Sequence, residues 1–347
     1  MSSGPTADPL HSVIRRLAMD TAVAPAELTA AFDRIMAGEA TAAQVAAILM
    51  GMRVKGETGA EVAAVVRALR AVMVPMVADD PGTLVDTCGT GGGSVPTFNI
   101  STAAALLAAG AGVRIAKHGN RSFTTLCGSA DVLEALGVRI DVPVSVMERA
   151  LRDAGIVFMY APLMHPAMRH VGPVRRELAI PTVMNIVGPL ANPARAGRQV
   201  IGVGDVDRVP LLAAALAELG TEHALVVHGE GMDEISPLGP TQVVEIRRGV
   251  VEEWTIDPGA LGFEPATAEE LVGGSPTDNA QAILRVLQGQ ASPGATAAVL
   301  LNAAAALYVG GVAASYETGI GQAEAALHAG AGMEALERLH RAMAVPP

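Results

Sequence analysis

Aromatic side chains are scarce in this chain, with 5 Phe, 3 Tyr and 1 Trp making up 3% of 347 residues. Half the residues are apolar, so Ala, Val and Leu must fill the core, which suits closely packed helices and buried parallel strands. Cysteine is rarer still: Cys88 and Cys127 are too few for a disulfide framework. Charged residues reach only 17%, and their balance of −11 lacks the basic face of a general nucleic-acid binder. Uninterrupted apolar runs of membrane length are missing too; AAALLAAGAGV and AAVLLNAAAALYVGGV are too short, Gly-broken or Asn-interrupted. MSSGPTADPL has no basic patch leading into an apolar run, as a signal peptide would. The expectation is a cytoplasmic protein with neither nucleic acid nor membrane as partner. The chain also lacks GxxxxGK[ST], GxGxxG, a fixed-period repeat and a zinc-ligand set.

What is present falls into two parts, as the length allows. Residues 1–78 read as helical. Thr41 with Gln44 and Thr58 with Glu61 match the capping box, and Gly38 and Gly56 stand where the preceding helices should stop. These helices hold little that could do chemistry, which suits a packing or dimerisation module. A linker at Asp79, Asp80, Pro81 and Gly82 opens residues 79–347. There, strand-like runs (LVDT, VRIA, VRID, IVFMY, QVIGV, HALVVH) alternate with helical ones, then QVVEI and VVEEWTI precede terminal helices from about Asn279. Such alternation predicts an α/β fold with a mainly parallel central sheet covered by helices, ligands binding beyond the carboxyl ends of its strands.

Three loops follow strand-like runs and would share that rim. The first is the glycine-rich turn of Gly89, Gly91, Gly92 and Gly93, followed by Thr97, Asn99, Ser101 and Thr102 at the start of an Ala/Leu-rich helix. Bare backbone N–H groups and a helix N-terminus there suit a phosphate, although a plain turn capped by Asn99 or Ser101 is the alternative. The second, Lys117-His118-Gly119-Asn120-Arg121, supplies a point charge and a fork for phosphate or carboxylate, or is an exposed basic turn. The third, HGEGMDEISP, carries Asp233 and Glu234, hard oxygen donors suited to Mg2+ or else a solvated acidic turn. Ser129 looks like an ordinary helix start, and Arg175 or Arg176 could hold a substrate carboxylate or line a solvated face.

Together these stretches resemble the anthranilate phosphoribosyltransferase family. The matching segments are GTGG-x5-FNIST, KHGNR, GSADVLEALG, HPAM-x3-GPVRREL, N-x-x-GPL-x-NP and HGEGMDEIS, in the family's order. The resemblance implies a small all-helical N-terminal domain, completed by about residues 170–195, joined to a larger α/β domain, with a homodimer formed through the helical domain. It implies transfer of the phosphoribosyl group of 5-phosphoribosyl diphosphate (PRPP) to the amine of anthranilate, with Mg2+ as cofactor in two ions. Lys117, Asp233 and Glu234 would be catalytic. PRPP would meet Gly89, Thr90, Gly91, Gly92, Gly93, Thr97, Asn99, Ser101, Thr102, Lys117, Arg121, Thr125 and Ser129. Anthranilate would meet Gly89, His118, Asn120 and Arg175, and the metal Ser101, Asp233 and Glu234. Two departures stand out: Gly93 replaces the acid of the family's usual GTGGDG, and Leu126 and Cys127 stand where a Lys and a Ser are common. Both make the diphosphate site less polar. The rival readings are a pyrimidine nucleoside phosphorylase, a phosphoribosyltransferase for another aromatic acceptor, and a non-catalytic ligand-binding homologue.

Overall fold

In the computed structural model, which describes residues 8–122 and 126–344, four helices come first: α1 (Pro9–Ala18), α2 (Pro25–Met36), α3 (Ala42–Lys55) and α4 (Gly59–Val72). Both capping boxes form. Thr41 Oγ1 accepts from the Gln44 N–H at 3.2 Å and Thr58 Oγ1 from the Glu61 N–H at 3.3 Å, while each partner side chain returns to the cap backbone. Gly56, at φ 85°, ends α3.

Strands and helices then alternate through β1 (Val85–Gly89), α5 (Ile100–Gly110), β2 (Ile115–Gly119), α6 (Ser129–Ala135), α7 (Val144–Ala154) and β3 (Ile156–Tyr160). Short helices α8 (Ala161–Met164), α9 (Gly172–Leu178) and α10 (Val187–Leu190) lead to β4 (Arg198–Gly202), α11 (Val209–Glu218) and β5 (His223–Gly229). A hairpin of β6 (Thr241–Arg247) and β7 (Val250–Ile256) turns at Arg248 and Gly249, both at positive φ as a two-residue turn requires. Helices α12 (Pro276–Leu287), α13 (Pro293–Gly310), α14 (Tyr316–His328) and α15 (Ala331–Met343) follow. By length and composition α13 could cross a membrane, yet most of it is buried inside the protein.

The sheet order is β3-β2-β1-β4-β5-β6-β7, parallel from β3 to β5 and antiparallel beyond. Period-two alternation assigns its faces. Val200, Leu225, Val227 and Val243 join α5, α13 and α15 in one core. Ile201, Ala224, Val226 and Val244 join α11, the N-terminal helices and residues of 167–191 in the other. The run VRID forms no strand. Arg139 and Asp141 pair at 3.3 Å on the surface while Val138 and Ile140 anchor the segment in the core, so no neighbouring ladder is needed. Chain order reverses at β1, whose neighbours are β2 and β4, and a crevice beyond the carboxyl end of such a switch strand is where open α/β sheets bind ligands. Four of the five parallel strands end there in glycine: Gly89, Gly119, Gly202 and Gly229.

Candidate active site at the carboxyl edge of the sheet

The glycine loop leaves β1 stitched to its neighbour. The Thr90 N–H donates to Gly202 O at 2.9 Å, and the Gly204 N–H donates to Thr90 Oγ1 at 3.1 Å. Gly91 and Gly92 take φ of 71° and 83°, conformations that L side chains resist, and the Gly91 N–H donates to Asp233 Oδ2 at 2.8 Å. The Ser94 N–H donates to Gly231 O at 2.8 Å, closing the loop against the segment that carries Asp233.

Helix α5 starts beside it without a cap of its own. Asn99 occupies the cap position but spends its amide elsewhere, donating to Cys127 O at 3.3 Å and accepting from Asn279 Nδ2 at 2.9 Å. The acceptor for the α5 N-terminus comes from across the sheet, where the Ser101 N–H donates to Glu234 Oε1 at 3.1 Å. Neither Asn99 nor Ser101 therefore acts as the helix cap that the sequence suggested.

Lys117, near the end of β2, is 3% exposed; its Nζ donates to Thr87 O, and to Ser101 Oγ at 3.3 Å. Burial lowers its pKa, while Asp86, Cys88 and Glu234 pull in the opposite direction. Asp86, absent from the sequence-based set, lies fully buried behind it. Its carboxylate accepts from the His118 N–H at 3.1 Å and from Asn192 Nδ2 at 2.8 Å, and burial pushes it up to about 6. Burial first, and then the charge of Asp233, push Glu234 up to about 8. The Lys117 ammonium thus lies in the field of Asp86 and Glu234, with Asp233 beside Glu234.

That imbalance fits a hard cation. Asp233, Glu234 and the Ser101 hydroxyl offer oxygen donors only, and two carboxylates leave room for substrate phosphates and water, as Mg2+ prefers. No group of three His, Cys, Asp or Glu gathers as a metal set among the described residues.

Two buried histidines lie close together, one of them next to Lys117 in the chain. His118 and His165 are 8% and 6% exposed, with ring centroids 4.9 Å apart, and His118 Nε2 has no hydrogen-bond partner among the described residues. Burial lowers His118 to about 3 and His165 to about 4, so both are neutral at physiological pH. The unfolded chain takes up these protons near pH 6.5. Stability held above pH 6.5 is therefore lost as pH falls toward 4. His165→Gln should retain about 2 kcal/mol at pH 5 that the wild type loses, read from denaturant unfolding at pH 7 and pH 5. The side chain of Arg175, half-buried on α9, makes no hydrogen bond or ion pair among the described residues, and burial lowers its pKa.

The other sequence-selected residues have the following surroundings. Arg121 is committed to Asp131 and Glu134 and lies over the Tyr160 ring at 5.7 Å. Ser129 Oγ donates to Asn120 O at 3.4 Å, and Asn120 Oδ1 accepts from the Arg121 N–H. Thr102 is 1% exposed and lines an interior cavity with Lys117, Leu106 and Phe158. Thr97 is half-buried with its carbonyl against Gly273, and Thr125 lies outside the described residues. His165, Asn192 and Asn279 were not in the sequence-based set either, although His165 and Asn192 lie in the HPAM and GPL-x-NP segments; Asp86 stood out as a charge inside the apolar run LVDT.

Residues 81–333 match the family model described as "Glycosyl transferase family, a/b domain", and residues 11–73 match "Glycosyl transferase family, helical bundle domain". The anthranilate phosphoribosyltransferase of Roseiflexus castenholzii is 49% identical over 311 residues, 89% of this chain and 91% of that one. That of Thermomicrobium roseum is 48% identical over 334 residues, 95% of this chain and 96% of the relative. Among solved structures, anthranilate phosphoribosyltransferase from Thermus thermophilus superposes with a TM-score of 0.90 at 38% identity, covering 95% of this chain and 99% of that one. The Saccharomyces cerevisiae enzyme in complex with PRPP and Mg superposes at 0.87 with 26% identity, covering 97% of this chain and 98% of its own. In sequence, backbone and the order of its loops, the chain belongs to the anthranilate phosphoribosyltransferase family.

Proposed function

We propose that this protein transfers the 5-phosphoribosyl group of PRPP to the amine of anthranilate, releasing pyrophosphate, as a step of tryptophan biosynthesis. The observation that carries this is the meeting of the glycine loop, Lys117 and the Asp233–Glu234 turn around the Ser101 end of α5. The N–H groups of Gly91 and Ser101, now held by carboxylate oxygens, are the donors an incoming diphosphate would take over, with Gly89, Thr90, Gly92, Gly93, Thr97 and Asn99 around it. Asp233, Glu234 and Ser101 would hold Mg2+, in two ions as the family resemblance implies. When bound, that cation neutralises charge on the departing pyrophosphate.

In the reaction the ribose C1–O bond breaks and its electron pair leaves with pyrophosphate. The anthranilate nitrogen lone pair forms the new bond to C1, with loss of one proton. Lys117 and the loop N–H groups stabilise the growing negative charge, an electrostatic contribution of the kind usually largest in enzymes. Anthranilate's amine is already a neutral nucleophile, so holding it in line, worth up to ~7–11 kcal/mol, replaces a protein nucleophile. Arg175 would take its carboxylate, with Gly89, His118 and Asn120 lining the approach. Neutral His118 offers a hydrogen bond rather than a second positive charge beside the electron-poor sugar carbon.

We further propose a boundary at residues 78/79, with about 170–195 completing the helical domain, because that segment shares a core with α1–α4. A homodimer through this domain and a cytoplasmic location complete the proposal. The test is loss of anthranilate fluorescence on adding PRPP, with and without Mg2+, beside a thymidine-plus-phosphate arm. Turnover confined to the second arm would mean a nucleoside phosphorylase instead. Arg175→Ala should raise the KM for anthranilate about 10- to 100-fold, the worth of a charge-assisted hydrogen bond, with kcat little changed.

A further inference from the structure

Helix α13 carries a single polar side chain among its buried residues, Asn302, at 4% exposure. Both polar atoms of the amide are engaged. Its Oδ1 accepts from the Ile235 N–H at 3.0 Å, and its Nδ2 donates to Ile235 O at 2.9 Å and to Ala298 O at 2.9 Å. Both backbone groups of the residue after Glu234 are therefore held by one side chain from a helix 67 positions away.

We infer that Asn302 is a positioning residue. By fixing the backbone of Ile235 it sets the Asp233 and Glu234 carboxylates against the N–H groups of Gly91 and Ser101, and so sets the geometry of the metal and diphosphate site. This presupposes the metal-ligand roles proposed above for Asp233 and Glu234.

Three observations support a positioning role beyond filling a core. The Asn302 amide holds both backbone groups of Ile235, directly after the two carboxylates. The turn is also seated without clearance: a Cβ on Gly89 would collide with the Asp233 carboxylate, and one on Gly202 with the Asp233 carbonyl. Finally, Asn302 lines a cavity of about 10 Å3 together with Ser101, Thr87, Gly202 and Glu234. That is about the space of one water, so the amide packs closely against the turn it holds. Ser236, whose N–H donates to Thr241 Oγ1 at 2.9 Å, secures the far side of the same turn and leaves Ile235 to Asn302.

Two measurements test this. In the wild-type protein, the Ile235 amide should exchange hydrogen as slowly as amides of β4 and β5, with or without Mg2+ and PRPP. Exchange as fast as the exposed part of the loop overturns the proposal. In steady state, Asn302→Ala should raise the Mg2+ concentration for half-maximal rate about tenfold, in the range of outer-shell substitutions at metal sites, and the KM for PRPP with it. The KM for anthranilate should stay unchanged, and in an Asp233→Asn/Glu234→Gln background the same substitution should change neither constant. A loss of folded fraction or active fraction with the Mg2+ dependence intact would show a purely structural residue and overturn the proposal. If Asn302→Ala does not fold, the exchange rate of Ile235 decides. If the wild type shows no Mg2+-dependent turnover, the metal assignment fails instead, and the exchange result still judges the hold on Ile235.

Discussion

Changing Asp233 to Asn and Glu234 to Gln in one chain should lower kcat/KM at least ~100-fold, the size of effect that follows loss of one preorganised electrostatic contact. The substitution isolates charge from shape. Each amide keeps an oxygen that can accept from the Gly91 or Ser101 N–H, so the loops retain their anchors. Stability should move the other way. Glu234 titrates near 8, above its unfolded value of 4.5, so its contribution to stability is complete below pH 4.5 and is lost as pH rises toward 8. A neutral Gln removes that loss, and the double variant should melt at or above the wild-type temperature at pH 8. Steady-state kinetics beside a thermal melt at that pH reads both. Activity within a few fold of wild type would remove the carboxylates from the proposed site.

The second large effect comes from a residue with no side chain. Gly202 ends β4 where a Cβ would overlap the Asp233 carbonyl oxygen, a backbone atom that cannot rotate away. Gly202→Ala must displace the carboxylate turn, and a shift of about 1 Å at a catalytic group can cost ~100-fold in rate. Overpacking adds about 1–3 kcal/mol of destabilisation. Gly321, in α14, is the control, since a Cβ there meets nothing within 4 Å; Gly321→Ala should be neutral or slightly stabilising. Equal losses in both variants would point to general destabilisation and away from the turn.

These cases mark where sequence legibility stopped. The capping boxes at Thr41 and Thr58 and the strand–helix alternation depend on neighbours within a turn or two, so they could be read directly. The glycine loop, Lys117 and the twin acids were visible as residue types suited to one chemistry. Their support was not, because it arrives from far along the chain. Asn192 reaches Asp86 across 106 positions, and Asn279 reaches Asn99 across 180. A lone Asn in an Ala-rich run interrupts a membrane-like pattern but says nothing of which backbone it will hold. Arg121 finds its partners nearer at hand: Asp131 and Glu134, ten and thirteen positions on, pair with it once α6 forms. The run VRID satisfied a strand pattern with no strand for a neighbour, and β propensity without a partner makes no ladder.

Seating a carboxylate turn on a helix that follows the sheet has a consequence for biosynthesis of the chain. Every strand of the sheet leaves the ribosome before α13 does. A nascent chain stopped ahead of Pro293 would have all seven strand segments but not the helix that packs on them and holds Ile235, so the acidic turn gains its support only late in translation.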